Sequence, residues 1–172
     1  MKHKTIAAFL LIWIILIAAA IFWFSSKSGE ESGDMSRTLM DEIFDFLEMD
    51  ENTRKIVHLM IRKMAHIAEF ALLGISVCVG LFFMRDAEMI RIGSYHLLAA
   101  IAWGLTTLYA VTDEIHQIFV PDRGPSVKDV LIDSAGALVG VCFVMAVGYW
   151  IAERKEKRQK QNSLSDGQQN GD

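Results

Sequence analysis

Long apolar blocks alternate with short polar ones along this chain, and the blocks set the expected elements. Residues 5–24 form a run of 20 without a charge, and about 20 apolar residues cross the ~30 Å hydrocarbon core of a bilayer as a helix. Trp13, Phe22, Trp23 and Phe24 suit the aromatic belt of a retained transmembrane helix better than the h-region of a cleaved signal peptide. Residues 25–50 are polar and acidic, opening on the loop signal Ser25-Ser26-Lys27-Ser28-Gly29. Within them Leu39, Ile43, Phe46 and Leu47 keep a helical period opposite Asp41, Glu42, Asp45 and Glu48, which predicts a short amphipathic helix over 36–49. It is either a lid on the protein or a solvated surface helix. A helical pattern starts again at Thr53, with Asn52 as its N-cap. Its apolar part runs to Met84, and 95–120 and 130–152 are the third and fourth apolar segments.

The expected fold class is therefore all-α. It is an integral membrane four-helix bundle with helices at about 5–24, 62–84, 95–120 and 127–152 and an extracytoplasmic amphipathic helix between the first two. Residues 153–172, basic and then polar, are expected to be a disordered cytoplasmic tail.

Composition agrees: 52% of 172 residues are hydrophobic, a size that suits one domain. Cys78 and Cys142 both lie inside apolar runs and act as small apolar residues, not as a disulfide framework. The net charge of -4 says less than its distribution. Lys2 and Lys4, Arg85 and Arg91, and the tail residues Arg154, Lys155, Lys157, Arg158 and Lys160 fall on one side of the expected topology. The positive-inside rule makes that side cytoplasmic, so both termini are expected inside a multi-pass cell-membrane protein. The acidic 25–50 segment and the turn at Arg123 are then outside. Arg54, Lys55, Arg62 and Lys63 run against the rule, which suggests a specific role for them.

Charged and polar residues interrupt the outer halves of three helices. Counting helix rise from the outer interface puts Glu69, Asp113 and Asp133 ~10 Å deep at one level. His66, His116, Gln117 and Asp129 lie about one turn higher. At 100° per residue, His58, Arg62, His66 and Glu69 share an arc of about 80°. Tyr109, Asp113, His116 and Gln117 share about 100°. Asp129, Asp133, Gly136 and Gly140 form a narrow stripe, and Gly136-x-x-x-Gly140 admits a close helix neighbour. An ionisable group facing lipid is costly, so these stripes are expected to converge inside the bundle.

His66, Glu69, Asp113, His116 and Asp133 are the candidate catalytic residues, as general bases and proton carriers. Arg62, Lys63, Gln117, Arg123 and Lys128 are the candidates for gripping a phosphorylated substrate. Each has a bland alternative. Ser126 and Asp129 read as Ser-x-x-Asp, a capping box, as readily as a site. Glu69 with Arg62 or Lys63 would serve as a structural ion pair, and Arg123 would serve the turn. His58 and His96 lie near interfaces and are incidental. The sequence requires no cofactor. His66-x-x-Glu69 and Asp113-x-x-His116 each put two ligand types on one helical face, so a divalent cation held by His66, Glu69, Asp113 and His116 stays open.

Four segments, residues 24–29, 62–70, 109–123 and 129–136, carry ordered polar motifs, and together they resemble VanZ-like membrane proteins. Phe24-Ser25-Ser26-Lys27-Ser28-Gly29 is similar to their FSSQSG stretch, and Arg62-Lys63-Met64-Ala65-His66-Ile67-Ala68-Glu69-Phe70 to their RKxxHxxEY stretch. Residues 109–123, with Asp113-Glu114-Ile115-His116-Gln117, resemble DExHQxFvpgR, and Asp129 with Asp133-Ser134-Ala135-Gly136 resembles the segment that follows it. Lys27 for Gln and Phe70 for Tyr are mild departures. The resemblance implies a cell-envelope protein related to an accessory factor of teicoplanin resistance in Gram-positive bacteria. Two function classes follow. One is an enzyme acting on a lipid-linked or phospholipid envelope substrate, and the other is a non-catalytic adaptor for a cell-wall precursor or glycopeptide. A transporter ranks below both. The bilayer is the implied partner, nothing points to nucleic acid, and the oligomeric state is open.

Overall fold

In the computed structural model, residues 2–27, 44, 50–121, 124 and 126–169 are described. Four helices follow in order: α1 Lys2–Ser25, α2 Glu51–Asp86, α3 Tyr95–Gln117 and α4 Val127–Gln169. Each is long and apolar enough to cross a membrane. They run up and down, so the α1 C-terminus, α2 N-terminus, α3 C-terminus and α4 N-terminus meet at one end. The protein is inside-out relative to a water-soluble fold. Phe9, Leu16, Leu108, Leu131 and Val139 face outward, while Ser25, Thr106, Asp113, Glu114, Gln117 and Asp133 are buried. That is the arrangement a hydrocarbon solvent imposes, because lipid satisfies no hydrogen bond.

The tightest seam joins α2 to α4. A Cβ added at Gly140 would lie 2.1 Å from the Ala71 carbonyl oxygen, and one at Gly136 2.6 Å from that of Ile67. From the other side, a Cβ at Gly74 would lie 2.7 Å from the Ala137 oxygen. The Gly136-x-x-x-Gly140 stripe is thus used within the chain, where small residues allow backbones to touch. α3 joins α4 through a polar clip: Trp103 Nε1 donates to Ser134 O at 3.1 Å and Thr107 Oγ1 lies 2.9 Å from Ser134 Oγ. α1 meets α3 at its C-terminal end, where Tyr109 donates its hydroxyl proton to Ala18 O at 2.6 Å. Towards the other end, an apolar crevice of ≈ 680 Å³ lies between α1, α2 and α3.

Helix ends differ from the pattern-based expectation for local reasons. α2 is capped by Asp50 and not by Asn52. The Asp50 carboxylate accepts from the Asn52 and Thr53 amides at 3.1 and 3.2 Å, and from the Thr53 hydroxyl. α3 ends at Gln117 and not at 120. Val120 precedes Pro121, and that position is driven out of the α region. α4 continues to Gln169, where disorder was expected from 153. The continuation is rich in Glu, Lys, Arg and Gln, which are good helix formers. Glu153–Lys157 pairs at 2.7 Å, Glu156–Lys160 at 3.8 Å, and Arg154 stacks on Trp150 at 3.7 Å. At the α2–α3 connection Arg85 donates to Ile92 O and Gly93 O and stacks on Tyr95. The expected amphipathic helix over 36–49 lies outside the described residues except Phe44, which is buried with its ring 4.9 Å from that of His58.

Candidate functional site

The polar residues collect where α1, α2, α3 and α4 share an end, in two layers of contact. The first lies between α1 and α3. Ser25 donates its hydroxyl proton to Asp113 Oδ2 at 2.7 Å, and Gln117 Nε2 donates to the same oxygen at 3.1 Å. Asp113 is 2% exposed, and among the described residues its Oδ1 has no hydrogen-bond partner. Ser25 reaches it because Ile17, Ile21 and Ser25 form the one buried stripe of α1. His116, one turn beyond Thr112, points to α1 as well, and its ring sits 4.1 Å from that of Phe22.

The second layer lies between α2 and α4, on either side of the glycine seam. His66 Nδ1 is 3.9 Å from Asp133 Oδ1 and 4.0 Å from Glu69 Oε2. One turn nearer the bundle end, Lys63 Nζ is 3.3 Å from Asp129 Oδ1. Asp133 is 3% exposed, and its Oδ1 has no hydrogen-bond partner among the described residues. Arg62, Lys63, His66, Gln117, Asp129 and Asp133 line a cavity of ≈ 160 Å³, with Leu59 and Ile132. Gln117 belongs to both layers: it lines this cavity and holds Asp113 behind it. Asp113, Glu114, Asp129 and Glu69 all lie within Coulomb range of Asp133.

The predicted residues are therefore partly brought together. Arg62, Lys63, His66, Gln117, Asp129 and Asp133 share the cavity, with Glu69 and Asp113 against it. His116 is not among the residues lining the cavity, and its ring lies against that of Phe22. Among the described residues no group of three or more His, Cys, Asp or Glu is placed to hold a metal ion. Lys128 is exposed and lines no part of the cavity. Arg123 lies outside the described residues. Ser126 immediately precedes α4 and its carbonyl accepts from the Asp129 and Val130 amides, but its backbone N–H donates to Glu114 Oε1 at 2.9 Å, and the Asp129 carboxylate is turned to Lys63 instead. The acceptor of the capping arrangement is thus a buried carboxylate from α3, not the one three residues on.

Glu114, Ser25 and Ser134 stand within the resembling segments, but sequence reasoning assigned none of them to the site. Glu114 lies about 100° around the helix from Asp113 and outside the polar arc. Ser25 was readable in principle, four residues from Ile21, but α1 is apolar all round and periodicity marks no face on such a helix.

No curated protein and no solved structure matches the chain. A family model described as VanZ/LLP1 matches residues 9–149, which reaches into all four helices and covers every residue of the polar cluster at the shared end of the bundle, and the chain belongs to that family.

Proposed function

We propose that the polar end of the bundle is an extracytoplasmic site for the phosphorylated head group of an envelope lipid, either a phospholipid or a lipid-linked cell-wall precursor. Arg62 carries this reading. It is half-buried, it lines the cavity, and among the described residues it has neither an ion-pair nor a hydrogen-bond partner. A guanidinium at the edge of a membrane is costly to leave unpaired, and its planar fork matches a phosphate bidentately. Lys63 beside it adds a second cation. The extracytoplasmic placement is supported by Lys2, Lys4, Arg85, Arg91 and the basic α4 extension, all at the opposite end.

The test is lipid retention by the detergent-purified full chain, read by native mass spectrometry. Arg62→Gln should lower retention of phosphatidylglycerol or a polyprenyl phosphate ~10-fold, the loss of one charge-assisted bidentate contact. Equal retention by the variant overturns the proposal.

A second reading, that the bound lipid is chemically processed, is favoured by His66 standing 3.9 and 4.0 Å from two carboxylates. A carboxylate-flanked imidazole suits proton transfer. It predicts a new lipid species when the protein is incubated with phospholipids or lipid-linked precursors, and none with His66→Ala. The teicoplanin connection implied by the family would appear as altered susceptibility of cells carrying the protein.

A further inference from the structure

The apolar crevice between α1, α2 and α3 has a floor, two walls and a charged mouth. α2 supplies the floor through Leu73, Val77, Gly80 and Met84. α1 and α3 are the walls, and they touch through Ala18, Phe22 and Ser25, at the polar end of the bundle. Leu11 and Leu105 line the crevice from opposite walls and are 58% and 50% exposed, so it opens between these two helices. Ala7, Ala8 and Ala18 keep the α1 wall low, whereas Phe9, Trp13 and Leu16 lie on the outer surface.

The lining and the mouth select the occupant. Two polar side chains line the crevice deep in the bundle, and both donate to the backbone: Thr106 to Ala102 O at 2.9 Å and Tyr109 to Ala18 O at 2.6 Å. The interior therefore suits hydrocarbon. At the other end Lys4 lines the crevice, exposed and without an ion-pair or hydrogen-bond partner among the described residues. Asp86, on the adjoining connection, is taken by Arg85 and Tyr95. Lys2, Lys4, Arg85 and Arg91 outnumber Asp86 and Glu88 at this end. A free ammonium at the mouth of a hydrocarbon slot complements an anionic head group above its tail. The length agrees. Lys4 and Ala18 lie ~21 Å apart along α1, at ~1.5 Å per residue. A carbon chain with bonds of ~1.52 Å and angles of ~111° advances ~1.25 Å per bond, so a straight chain of about 17 carbons spans that distance.

We propose that the crevice binds one acyl chain of an anionic phospholipid from the leaflet at the α1 N-terminus, with the phosphate on Lys4. One leaflet is about half of the ~30 Å hydrocarbon core, so this chain passes the midplane and is held straighter than its neighbours. It completes the contact of α1 with α3. The site is separate from the polar cavity, which lies at the opposite end of the bundle.

The experiment uses the full chain carrying Arg62→Gln, which weakens phosphate recognition at that opposite end in every sample. Detergent-purified protein is offered equal amounts of phosphatidylglycerol and phosphatidylcholine with chains of about 18 carbons, and phosphatidylglycerol with chains of about 10 carbons. Retention is read by native mass spectrometry. Long-chain phosphatidylglycerol should be retained ~5-fold over long-chain phosphatidylcholine, the effect of one lysine at an anionic head, and should exceed the short-chain lipid as well. Lys4→Gln should remove the preference for phosphatidylglycerol. Ala8→Trp, which fills the slot, should lower retention of both long-chain lipids at least ~10-fold, the lost burial of about two methylenes. Ile12→Trp, which adds the same ring on the outer surface of α1, should leave retention unchanged. If Ala8→Trp does not fold by circular dichroism, Leu105→Trp on the opposite wall is read in its place. A folded slot-filling variant that retains lipid as before assigns the lipid to the general surface of the helices and overturns the proposal. Phosphatidylcholine retained as well as phosphatidylglycerol, or a preference that survives Lys4→Gln, overturns the assignment of the head group to Lys4. Equal retention of the short-chain lipid overturns the match in length.

Discussion

Replacing Gly140 by alanine should separate the two helices that form the cavity walls. The added Cβ would sit 2.1 Å from the Ala71 carbonyl oxygen and 2.9 Å from its carbonyl carbon. Both are backbone atoms, so no rotamer change relieves the clash. Ordinary contact begins at 3.4 Å, so α2 and α4 must move apart by more than 1 Å at this point. Overpacking of this kind costs ~1–3 kcal/mol. The helix propensity of alanine over glycine returns ~1 kcal/mol, leaving a net loss of ~0–2 kcal/mol. On soluble-protein scaling that is a fall of up to ~8 °C in Tm for a chain of this size. Gly148 is the control, since a Cβ there meets nothing within 4 Å. Gly148→Ala should be neutral or stabilising by up to ~1 kcal/mol. Thermal unfolding in detergent should rank Gly140→Ala below Gly136→Ala and Gly74→Ala, whose nearest contacts are 2.6 and 2.7 Å, and all three below Gly148→Ala. If Gly140→Ala melts with Gly148→Ala, the seam is not a backbone contact and the placement of Asp133 opposite His66 falls with it.

Two further outcomes can be checked. Ser25→Ala removes a buried donor and leaves Asp113 Oδ2 with Gln117 alone, so unfolding should become easier by ~1–3 kcal/mol, read by chemical denaturation in detergent. At the start of α2, hydrogen bonds from the Thr53 side chain and then its backbone hold the Asp50 carboxyl below its ordinary 3.8. A lowered native value means the folded state binds fewer protons, so the cap is complete above that ordinary value and is lost as pH falls through the native one. Amide exchange at Asn52 and Thr53, corrected for its intrinsic pH dependence, should be protected at neutral pH and lose that protection only as the solution is acidified past the carboxyl's ordinary range; unchanged protection factors would refute the cap.

The four helices were legible because hydrocarbon demands one thing of a spanning segment, sustained apolarity, and residues 5–24 or 130–152 meet it in plain view. The α2–α4 contact was legible from Gly136 and Gly140 for the same reason: few residues other than glycine admit such an approach. Ends and partners were less so. Asn52 and Asp50 are both good caps, and the choice between them depends on which backbone amides point at which oxygen. His116 and Glu114 are two residues apart, and helical angle alone could not say that the first would stack on Phe22 while the second reached across to Ser126. Such assignments depend on the neighbour facing each residue, and facing neighbours are a tertiary property. The tail shows the opposite error, where polarity outweighed the helix propensity of residues 153–162 and the pairs they form.

The glycine seam has a thermal consequence. Contacts made through side chains loosen on warming as other rotamers become populated, whereas main chain resting on main chain has no rotamers to populate and gives up no side-chain entropy in forming. The spacing between α2 and α4, and with it the gap between Arg62 and Asp133, is therefore set by atoms that expand least. Across the bundle the packing is of the other kind, where α1 borders an apolar crevice of ≈ 680 Å³ lined by side chains. As temperature rises, α1 is the helix that should shift first, while the walls of the polar cavity keep their distance.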